Sequence, residues 1–561
     1  MKVHITDKYV FLYAEKDNSR ATQVSHMGRW NKPLRCWYYP LTLTVCLAIQ
    51  RVFPETQIIG DNDLATTIER LTKHEQQVGE IKEAAELPQP EGISTPLWLH
   101  QKKALELARH LDGCMLALDM GTGKSLCVIS LITSDDSIKL SLIVCPKSVQ
   151  AGWDRQFKLH CVADVISVVL FDKNVAAKEA HAERMISMYR DVKINKKLVI
   201  ITNYESTFRE PLASFILAQK WDLIVADESH KLKSPGGRTS RYFAKLTHKA
   251  RKRICLTGTP LPNSIIDAYG QYRFMAPGVF GTSVSAMRNE YCEMGGFRSY
   301  DKASDSFKPR QVIAYKNADK FNTLFYSCAY RVMADDVLDL PPVIHTTHTF
   351  DLSDKARKIY KDLKKDLIAQ WEEGQITAAN GLVKLLRLSQ LTGGWAPLDN
   401  GMLLPVDTGK QELLAELLDD ISVTDPVVIF ARFTQDIRSC IETIKAVGRT
   451  VGELSGHEND LMKYQTGEIN TLVVQIQSGG VGVELQKCGD QCTRYCFYYS
   501  VSYSLTEYEQ SLARIHRPGQ EKTVNYFHLV AERTIDSIIY AALAEKKDTI
   551  EEFLKQLNEE A

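Results

Sequence analysis

The stretch that most limits how this chain can fold is residues 116–125, LALDMGTGKS. Two glycines, Gly121 and Gly123, leave the backbone free to curl its N–H groups around an anion. An apolar strand, residues 114–118, precedes them, and a helix beginning at Lys124 would point its positive end at the same anion. This order of strand, glycine-rich loop and helix predicts a phosphate-binding loop in an α/β fold.

The same loop carries the side chains that ATP and Mg²⁺ require. Lys124 would contact the β- and γ-phosphates, and the Ser125 hydroxyl would hold the metal. The predicted ATP-binding residues of the loop are Met120, Gly121, Thr122, Gly123, Lys124 and Ser125. The full pattern has glycine at position 118, where this chain has leucine, so a chance turn of similar composition is the alternative for the loop taken alone.

Length and charge restrict the classes of function. A chain of 561 residues allows about three or four domains. Its 69 basic and 69 acidic residues balance, so binding to nucleic acid must depend on a local basic groove. Thirteen irregularly spaced cysteines are typical of reduced thiols, and we find no signal peptide and no apolar run of about 20 residues. These features predict a cytoplasmic protein.

The net charge of the first 90 residues changes from positive to negative along the chain. Residues 1–52 carry eight basic and three acidic side chains, whereas residues 53–90 carry three and eight. We therefore expect a small basic α+β module at 1–52, with a strand at 9–13 and a helix at 41–53, followed by an acidic connector. Its aromatic residues either form a small core or lie beside basic residues that touch DNA. The aromatic residues are Trp30, Trp37, Tyr38 and Tyr39, and the basic ones are Arg29, Lys32 and Arg35.

From about residue 94, apolar strands alternate with helical patterns, which is typical of a parallel sheet. Three such strands, at 142–145, 198–203 and 223–227, end in polar residues, as expected at the carboxyl edge of a parallel sheet. Gln101, shortly before the phosphate loop, is placed to read an adenine edge with its amide.

The third of these strands ends in Asp227, Glu228, Ser229 and His230. Asp227 would hold Mg²⁺, and Glu228 would orient and deprotonate the attacking water, while His230 would hydrogen-bond across a cleft. A solvated turn is the alternative, which the apolar strand before it disfavours.

Eight segments, in order, resemble the motifs of the helicase-superfamily-two ATPases of the SWI/SNF remodeller type. They are residues 119–125 (motif I), 145–148 with Trp153 (Ia), 201–205 (Ib), 227–234 (II), 256–263 (III), 428–434 (IV), 478–485 (V) and 510–520 (VI). The order and spacing extend over residues 94–540, and on these segments the chain is identified as a member of that group. Ser229 stands where the family usually has alanine, Ala513 where an acidic residue is common, and Pro518 follows the motif VI arginine.

The resemblance implies two RecA-like lobes with ATP between them and helical insertions, in addition to the small N-terminal α+β module expected from the charge pattern. It implies that Arg514 and Arg517, three residues apart and therefore on one face if helical, act as arginine fingers across the interlobe cleft. Gln510 would touch the nucleotide or His230. The residues that it implies as contacts to the DNA backbone are Lys147, Asn203, Tyr204, Arg432 and Gln477.

The domain layout follows from these motifs and from the long gap between motifs III and IV, where helical patterns occur at 352–373 and 382–391. The predicted domains are 1–52, 53–93 (connector), 94–275 (first lobe), 276–405 (helical insertions), 406–545 (second lobe) and 546–561 (C-terminal helix). An amphipathic pattern over 535–557 would brace the lobes or bind a partner.

Two weaker signals remain open. Cys488, Cys492 and Cys496 could bind zinc, but no fourth ligand lies nearby in the sequence and a strand-like run follows. Residues 27–41 resemble the HARP-type module of annealing helicases, which implies a preference for forks and junctions.

The function predicted from the sequence is an ATP-dependent translocase on double-stranded DNA that remodels DNA structures or DNA-bound complexes. Its expected cofactors are ATP and Mg²⁺, and its expected partner is duplex or branched DNA, bound mostly without regard to sequence. The alternatives are a strand-separating DNA or RNA helicase and a nucleotide-dependent clamp or loader subunit.

Overall fold

The structure is a computed structural model of the chain. It describes residues 2–6, 9–16, 18–24, 28–60, 62–162, 164–191, 196–262, 264–295, 300–301, 306–307, 311–372, 378–397, 402–479, 483–501 and 503–544. The chain divides into two compact units, Met1–Val337 and Leu338–Ala561. The predicted C-terminal helix at 546–561 lies outside the described residues. Among the described residues, no helix is both long enough and apolar enough to cross a membrane.

The first unit begins with a small sheet covered by helices. Its elements are β1 (Lys2–Ile5), β2 (Tyr9–Tyr13), α1 (Ser19–Val24), β3 (Arg29–Asn31), β4 (Cys36–Pro40), α2 (Leu43–Val52), β5 (Gln57–Ile59) and α3 (Leu64–Glu83). The strand order is β3-β4-β2-β1-β5, antiparallel except for the pair β1–β5. The strand predicted at 9–13 and the helix predicted at 41–53 are confirmed as β2 and α2. Their apolar residues form a core in which Val10, Leu12 and Ile49 are fully buried.

Helix α3 lies within the segment predicted as an acidic connector. Asp63 caps its N-terminus, because the carboxylate accepts a hydrogen bond from Thr66 N. Val78 of α3 is buried in the core that follows, and Lys82 Nζ donates to the carbonyl of Tyr326 at 2.5 Å. The segment therefore packs as a helix of the first unit.

The remainder of the first unit alternates strands and helices. Its elements are α4 (Leu99–His110), β6 (Gly113–Leu118), α5 (Lys124–Ser134), β7 (Leu140–Cys145), α6 (Gln150–His160), β8 (Val165–Val169), α7 (Val175–Asp191), β9 (Lys197–Asn203), α8 (Tyr204–Thr207), α9 (Leu212–Ala218), β10 (Trp221–Asp227), α10 (Arg238–Leu246), β11 (Ala250–Leu256), α11 (Asp267–Met275), α12 (Val284–Tyr291), β12 (Cys292–Gly295), β13 (Tyr300–Asp301), β14 (Ser306–Phe307), β15 (Gln311–Tyr315), α13 (Ala318–Ser327), β16 (Ala329–Val332) and α14 (Ala334–Val337). Short 3₁₀ turns lie at Lys147–Val149 and Ser229–Leu232.

A seven-stranded sheet of order β16-β6-β11-β10-β7-β9-β8 forms the centre of this lobe, and every neighbouring pair is parallel. Its inner strands β6, β7 and β10 are buried on both faces, which accounts for their continuous apolar runs. Because parallel strands share one carboxyl edge, the ends of β6, β11 and β10 lie side by side.

The second unit contains another parallel sheet. Its elements are β17 (Val343–Phe350), α15 (Asp354–Glu372), α16 (Ala378–Thr392), β18 (Trp395–Pro397), β19 (Leu403–Pro405), α17 (Gly409–Asp419), β20 (Val427–Ala431), α18 (Thr434–Ala446), β21 (Val451–Leu454), α19 (Leu461–Gln465), β22 (Thr471–Gln475), α20 (Ile476–Gly479), β23 (Lys487–Cys488), β24 (Gln491–Cys492), β25 (Tyr495–Tyr498), α21 (Leu505–Leu512), β26 (Val524–Ala531) and α22 (Ile535–Ala544). The six-stranded order is β17-β26-β25-β20-β22-β21, again wholly parallel.

The chain therefore has the predicted α/β fold with two RecA-like lobes. The helical patterns at 352–373 and 382–391 are confirmed as α15 and α16. The region 276–405 is not purely helical, however, because it also contains the strands β12 to β19. Two of them, β16 and β17, are edge strands of the large sheets, so this region contributes to both lobes.

Candidate nucleotide-binding site

The phosphate loop connects β6 to α5 and adopts a backbone that favours glycine. Gly121 and Gly123 have φ of 79° and 89°, in the left-handed region. A Cβ on Gly123 would lie 2.3 Å from Gln101 Nε2, so a side chain there meets both strain and a close neighbour. The Thr122 hydroxyl donates to the Asp119 carbonyl at 2.6 Å and closes the loop. The glycines are thus required by the conformation itself.

Lys124 begins α5 and folds back over the loop. Its Nζ donates to the carbonyls of Leu118 at 2.7 Å and Asp119 at 3.1 Å. Ser125 and Met120 are half-buried beside it. Carbonyl oxygens are neutral acceptors, so a phosphate oxygen offers the ammonium a stronger, charge-assisted partner.

Asp227 ends β10 and is nearly fully buried, with 7% of its surface exposed. Trp153 Nε1 donates to Oδ2 at 2.9 Å, and the Glu228 backbone N–H donates to Oδ1 at 3.0 Å. Burial, followed by the nearby Glu228 carboxylate, raises the pKa of Asp227 to about 6, although the Trp153 hydrogen bond and the Lys124 charge oppose the rise. The carboxylate therefore lies near the Lys124 ammonium and lacks full compensation for its charge.

Glu228 occupies a backbone conformation that is rare for its residue type. Its φ and ψ of 51° and 52° are left-handed, which is typical of strained positions at functional sites. Its Oε2 lies 3.3 Å from His230 Nδ1. His230 Nδ1 also lies 3.5 Å from the Thr257 hydroxyl, in motif III. His230 thus connects the motif II carboxylate to the neighbouring strand end.

Ser229, which replaces the family's usual alanine, is fully buried and hydrogen-bonded. Its hydroxyl donates to Gln271 Oε1 at 2.7 Å. Gln271 Nε2 in turn donates to the Pro260 carbonyl at 2.7 Å and to the Asp267 carbonyl at 3.1 Å. Helix α11 is thereby tied to motifs II and III.

Gln101 already has partners for both ends of its amide. Its Oε1 accepts from Trp98 N at 3.0 Å, and its Nε2 donates to the Thr122 carbonyl at 3.0 Å. Reading an adenine edge would require it to exchange these partners, so that role stays a prediction. His100 was not predicted: its Nε2 lies 2.9 Å from the same carbonyl, and burial lowers its pKa. Its position next to Gln101 was the only signal in the sequence.

The predicted DNA contacts of the first unit differ in exposure. Lys147 is exposed on the 3₁₀ turn after β7. Asn203 is 6% exposed, and its amide oxygen accepts from Lys178 Nζ at 2.8 Å. Tyr204 is 2% exposed, and its hydroxyl donates to the Asp227 carbonyl at 2.7 Å. Only Lys147 of the three lies on the surface, because the other two side chains are held inside by these hydrogen bonds.

In the second unit, Arg432 and Gln477 follow β20 and β22. The Arg432 guanidinium lies 4.3 Å from the centre of the Tyr503 ring, and burial lowers the pKa of Arg432. Its backbone N–H donates to the Ser500 hydroxyl at 2.8 Å. Gln477 is exposed on α20.

The motif VI arginines do not share a helical face, because α21 ends at Leu512 and both follow it. They contact the same short segment nonetheless. Arg514 Nη1 lies 3.5 Å from the Val483 carbonyl, and Arg517 Nη2 lies 3.1 Å from Glu484 Oε1. Gln510, on α21, is 6% exposed. The two arginines thus lie directly against the end of motif V.

The three cysteines of the zinc hypothesis lie on separate strands. Cys488 and Cys492 lie on β23 and β24, and Cys496 is buried in β25. The Cys488 and Cys492 thiols donate to the carbonyls of Ile469 and Gly519. In the part of the chain that the structure describes, no group of three or more His, Cys, Asp or Glu residues is arranged to hold a metal ion.

The chain is also similar in sequence to known proteins. The family model of the SNF2-related domain matches residues 89–392, more than half of the chain. The chain is 26% identical to "Chromodomain-helicase-DNA-binding protein 1-like" of Danio rerio, over 80% of this chain and 43% of that protein. It is 24% identical to "DNA repair and recombination protein RAD54B" of Gallus gallus, over 78% of this chain and 51% of that protein.

A solved structure, "Sulfolobus solfataricus SWI2/SNF2 ATPase core in complex with dsDNA", aligns with 82% of this chain and 93% of its own, at 22% identity and a TM-score of 0.38. The chain spans about half the length of these two curated relatives.

Proposed function

Because this chain belongs to the family of the SNF2-related domain, we propose that it is a DNA-dependent ATP hydrolase that moves along double-stranded DNA. One observation carries the proposal. The buried Asp227 carboxylate, the Lys124 ammonium and the strained Glu228 lie together at the carboxyl edge of one parallel sheet, next to a loop shaped by two glycines. Such an edge is where α/β sheets bind their ligands.

The residues present fit Mg²⁺ and a triphosphate. Asp227 is a buried carboxylate whose pKa is raised by burial and by the nearby Glu228 carboxylate, and a divalent cation there would supply compensating positive charge. Asp227 and the Ser125 hydroxyl are both oxygen ligands of the kind that Mg²⁺ prefers. When bound, Mg²⁺ neutralises charge on the phosphates.

Each side chain of the site then has a separate role in binding or hydrolysing ATP. Lys124 exchanges its two carbonyl partners for phosphate oxygens, and the loop N–H groups bind the remaining phosphate oxygens. Glu228 orients the attacking water and takes its proton, while His230, 3.3 Å from the Glu228 carboxylate, holds that carboxylate in place. Gln101 and His100 support the loop through the Thr122 carbonyl.

We further propose that Arg514 and Arg517 stabilise the charge that develops as the γ-phosphate leaves, and that Gln510 contacts the nucleotide. Their motif VI positions support the proposal, as do their contacts with Val483 and Glu484 at the end of motif V.

DNA is the proposed substrate because the relatives named above are a DNA-binding protein and a DNA repair and recombination protein. Lys147, Arg432 and Gln477 would contact the phosphate backbone. Asn203 and Tyr204, being buried, would hold the carboxyl edge of the sheet in shape. Backbone contacts carry no base information, so binding should be independent of sequence and should weaken steeply with salt. The finer proposal is that the motor remodels branched DNA, including forks and junctions.

The test measures ATP hydrolysis by the full chain with duplex, single-stranded and forked DNA and with RNA. Lys124→Ala should lose hydrolysis together with ATP affinity, because a phosphate contact disappears. Glu228→Gln should lose hydrolysis but retain ATP. Lys158→Ala, at an exposed lysine, is the matched control. Hydrolysis by Glu228→Gln at the wild-type rate would contradict the catalytic assignment.

A second measurement separates the classes of motor. Displacement of a third strand from a triplex, without separation of the duplex strands, supports a duplex translocase. Strand separation would indicate a helicase instead, and ATP hydrolysis without either displacement would indicate a clamp or loader.

A further inference from the structure

The N-terminal sheet has two chemically different faces. On the inner face, Val3, Ile5, Val10 and Leu12 pack into the core beneath α1 and α2. Register places the alternate residues on the outer face: His4 pairs with Phe11, Phe11 with Tyr38, Tyr9 with Pro40, and Arg29 with Tyr38. We call His4, Tyr9, Phe11 and Tyr38 the aromatic face.

The rings of the aromatic face form a continuous row. The centroids of His4 and Phe11 lie 6.0 Å apart at an interplanar angle of 27°, and those of Phe11 and Tyr38 lie 6.0 Å apart at 28°. Tyr9 meets Tyr38 edge-on at 5.6 Å. All four rings are half-buried, whereas Tyr39, on the inner face, is fully buried. The row therefore presents accessible π surface on a rigid sheet.

A cavity of about 240 Å³ lies where the aromatic face meets the first lobe. Tyr9, Arg29 and Tyr38 line it from the sheet. From the lobe, the residues that line it are Tyr269, Tyr272, Arg273, Pro277, Gly278, Phe280, Gly281 and Thr282. A space of this size has room for a small planar group but is far too small for a DNA duplex.

The lobe side of the cavity is fixed in place by close packing. Gly278 has a φ of +100°, and a Cβ there would lie 2.6 Å from Pro40 Cβ. The turn closes through a hydrogen bond from Gly281 N to the Gly278 carbonyl at 2.8 Å. The sheet and the lobe thus form one preformed wall around the cavity.

The polar groups of the cavity are suited to an anion. Arg29 is exposed, and Arg273 Nη2 donates to the Pro235 carbonyl and to the Ser240 hydroxyl, each at 2.9 Å. Within the described part of the chain, Arg273 Nε and Thr282 Oγ1 are buried without a hydrogen-bond partner. Buried donors without partners are rare in folded proteins. None of the described lining residues carries a carboxylate, so nothing there offsets the two arginines.

We propose that the aromatic face and this cavity bind unpaired nucleotides, with a phosphate held by Arg29, Arg273 and Thr282 and with bases stacked on Tyr38 and Phe11. Sheets that present a row of aromatic rings stack two or three bases of a single strand, and stacking tolerates any base sequence. Two arginines supply the charge-assisted hydrogen bonds that phosphates favour. The inference rests on the proposed function only in choosing DNA as the source of the strand.

The chemistry of the site fits a nucleoside phosphate. Such a group can come either from a DNA strand or from a free nucleotide. The test uses the full chain without ATP and a labelled thymidine oligonucleotide of about 12 residues, within the usual range of site sizes. We expect Arg29→Ala to raise the dissociation constant about tenfold, and Tyr38→Leu to have a similar effect. Tyr38→Phe keeps the ring and should bind like the wild type.

Arg51→Ala is the matched control, because it removes the same charge from an exposed position in the last turn of α2, outside the cavity. Its dissociation constant should change less than about threefold. A photoreactive 5-iodouracil in the oligonucleotide should crosslink to Tyr9, Phe11 or Tyr38.

Protection of these crosslinks by free thymidine monophosphate would assign the site to a free nucleotide, and lack of protection would assign it to a strand. Wild-type affinity of both Arg29→Ala and Tyr38→Leu, or crosslinks confined to other residues, would overturn the proposal. Because binding is measured without hydrolysis, failure of the proposed ATPase activity would appear separately.

Discussion

Replacing Asp227 with asparagine should change the pH dependence of stability in a way that follows from its burial. In the folded protein its pKa is about 6, against 3.8 for an unperturbed aspartate. A raised pKa means that the folded state binds the proton more tightly than the unfolded state does. The ionised carboxylate therefore destabilises the fold above pH 6, and this penalty disappears as the pH falls towards 4.

The magnitude follows from the two pKa values. At about 1.4 kcal/mol per pH unit, the penalty is about 3 kcal/mol at pH 8 and about half of that at pH 5. Asparagine does not titrate. Its amide nitrogen is a donor and would face one of two other donors, Trp153 Nε1 or Glu228 N. The hydrogen bond lost in this way costs about 1–3 kcal/mol of stability. That cost does not vary with pH. The stability of Asp227→Asn relative to the wild type should therefore rise by about 1.4 kcal/mol from pH 5 to pH 8.

Urea unfolding of both proteins at pH 5, 6, 7 and 8, without ATP or Mg²⁺, measures this difference. Glu228→Gln is an informative companion, because it removes the second cause of the raised pKa but keeps the aspartate, and it should flatten the pH dependence. A difference between Asp227→Asn and the wild type that is constant over this range would refute the reasoning. So would one that falls as the pH rises.

Two further predictions concern the motif VI arginines and a glycine of α11. Arg514→Ala and Arg517→Ala should lower the turnover number for ATP more than they raise its KM, since these side chains act on transition-state charge; parallel losses would indicate a role in folding. Gly270→Ala should destabilise the protein by about 3 kcal/mol or more in thermal unfolding, because its Cβ would lie 1.9 Å from the Leu232 carbonyl oxygen. Gly79→Ala is the comparison: Gly79 lies inside α3, and a Cβ there would have no neighbour within 4 Å, so this substitution should stabilise the protein slightly. Equal effects of Gly270→Ala and Gly79→Ala would contradict the packing argument.

The sequence predicted the elements whose signals are local. The phosphate loop lies between β6 and α5 as expected, because apolar runs, glycines and a helix start act over a few residues. The three strands that end in polar residues also lie in one parallel sheet, since α/β alternation restricts the possible topologies.

What the sequence did not predict depends on partners far away in the chain. Tyr204 is held inside by the hydrogen bond from its hydroxyl to the carbonyl of Asp227, which lies 23 residues further along the chain. The side-chain amide of Gln101 is oriented by its hydrogen bond to the Thr122 carbonyl, and the two residues are close because α4 packs against α5. The early end of α21 at Leu512 and the strands β16 and β17 at the sheet edges are likewise tertiary outcomes. Local propensity contains no information on such contacts.

The buried pair of Ser229 and Gln271 implies a pattern of inheritance. With alanine at position 229, Gln271 Oε1 would lose the hydrogen bond it accepts at 2.7 Å, and a buried acceptor without a partner costs about 1–3 kcal/mol. A relative in which one of these two residues has been substituted should therefore have the other substituted as well. Among relatives of this protein, serine in motif II and glutamine on α11 should be gained and lost together.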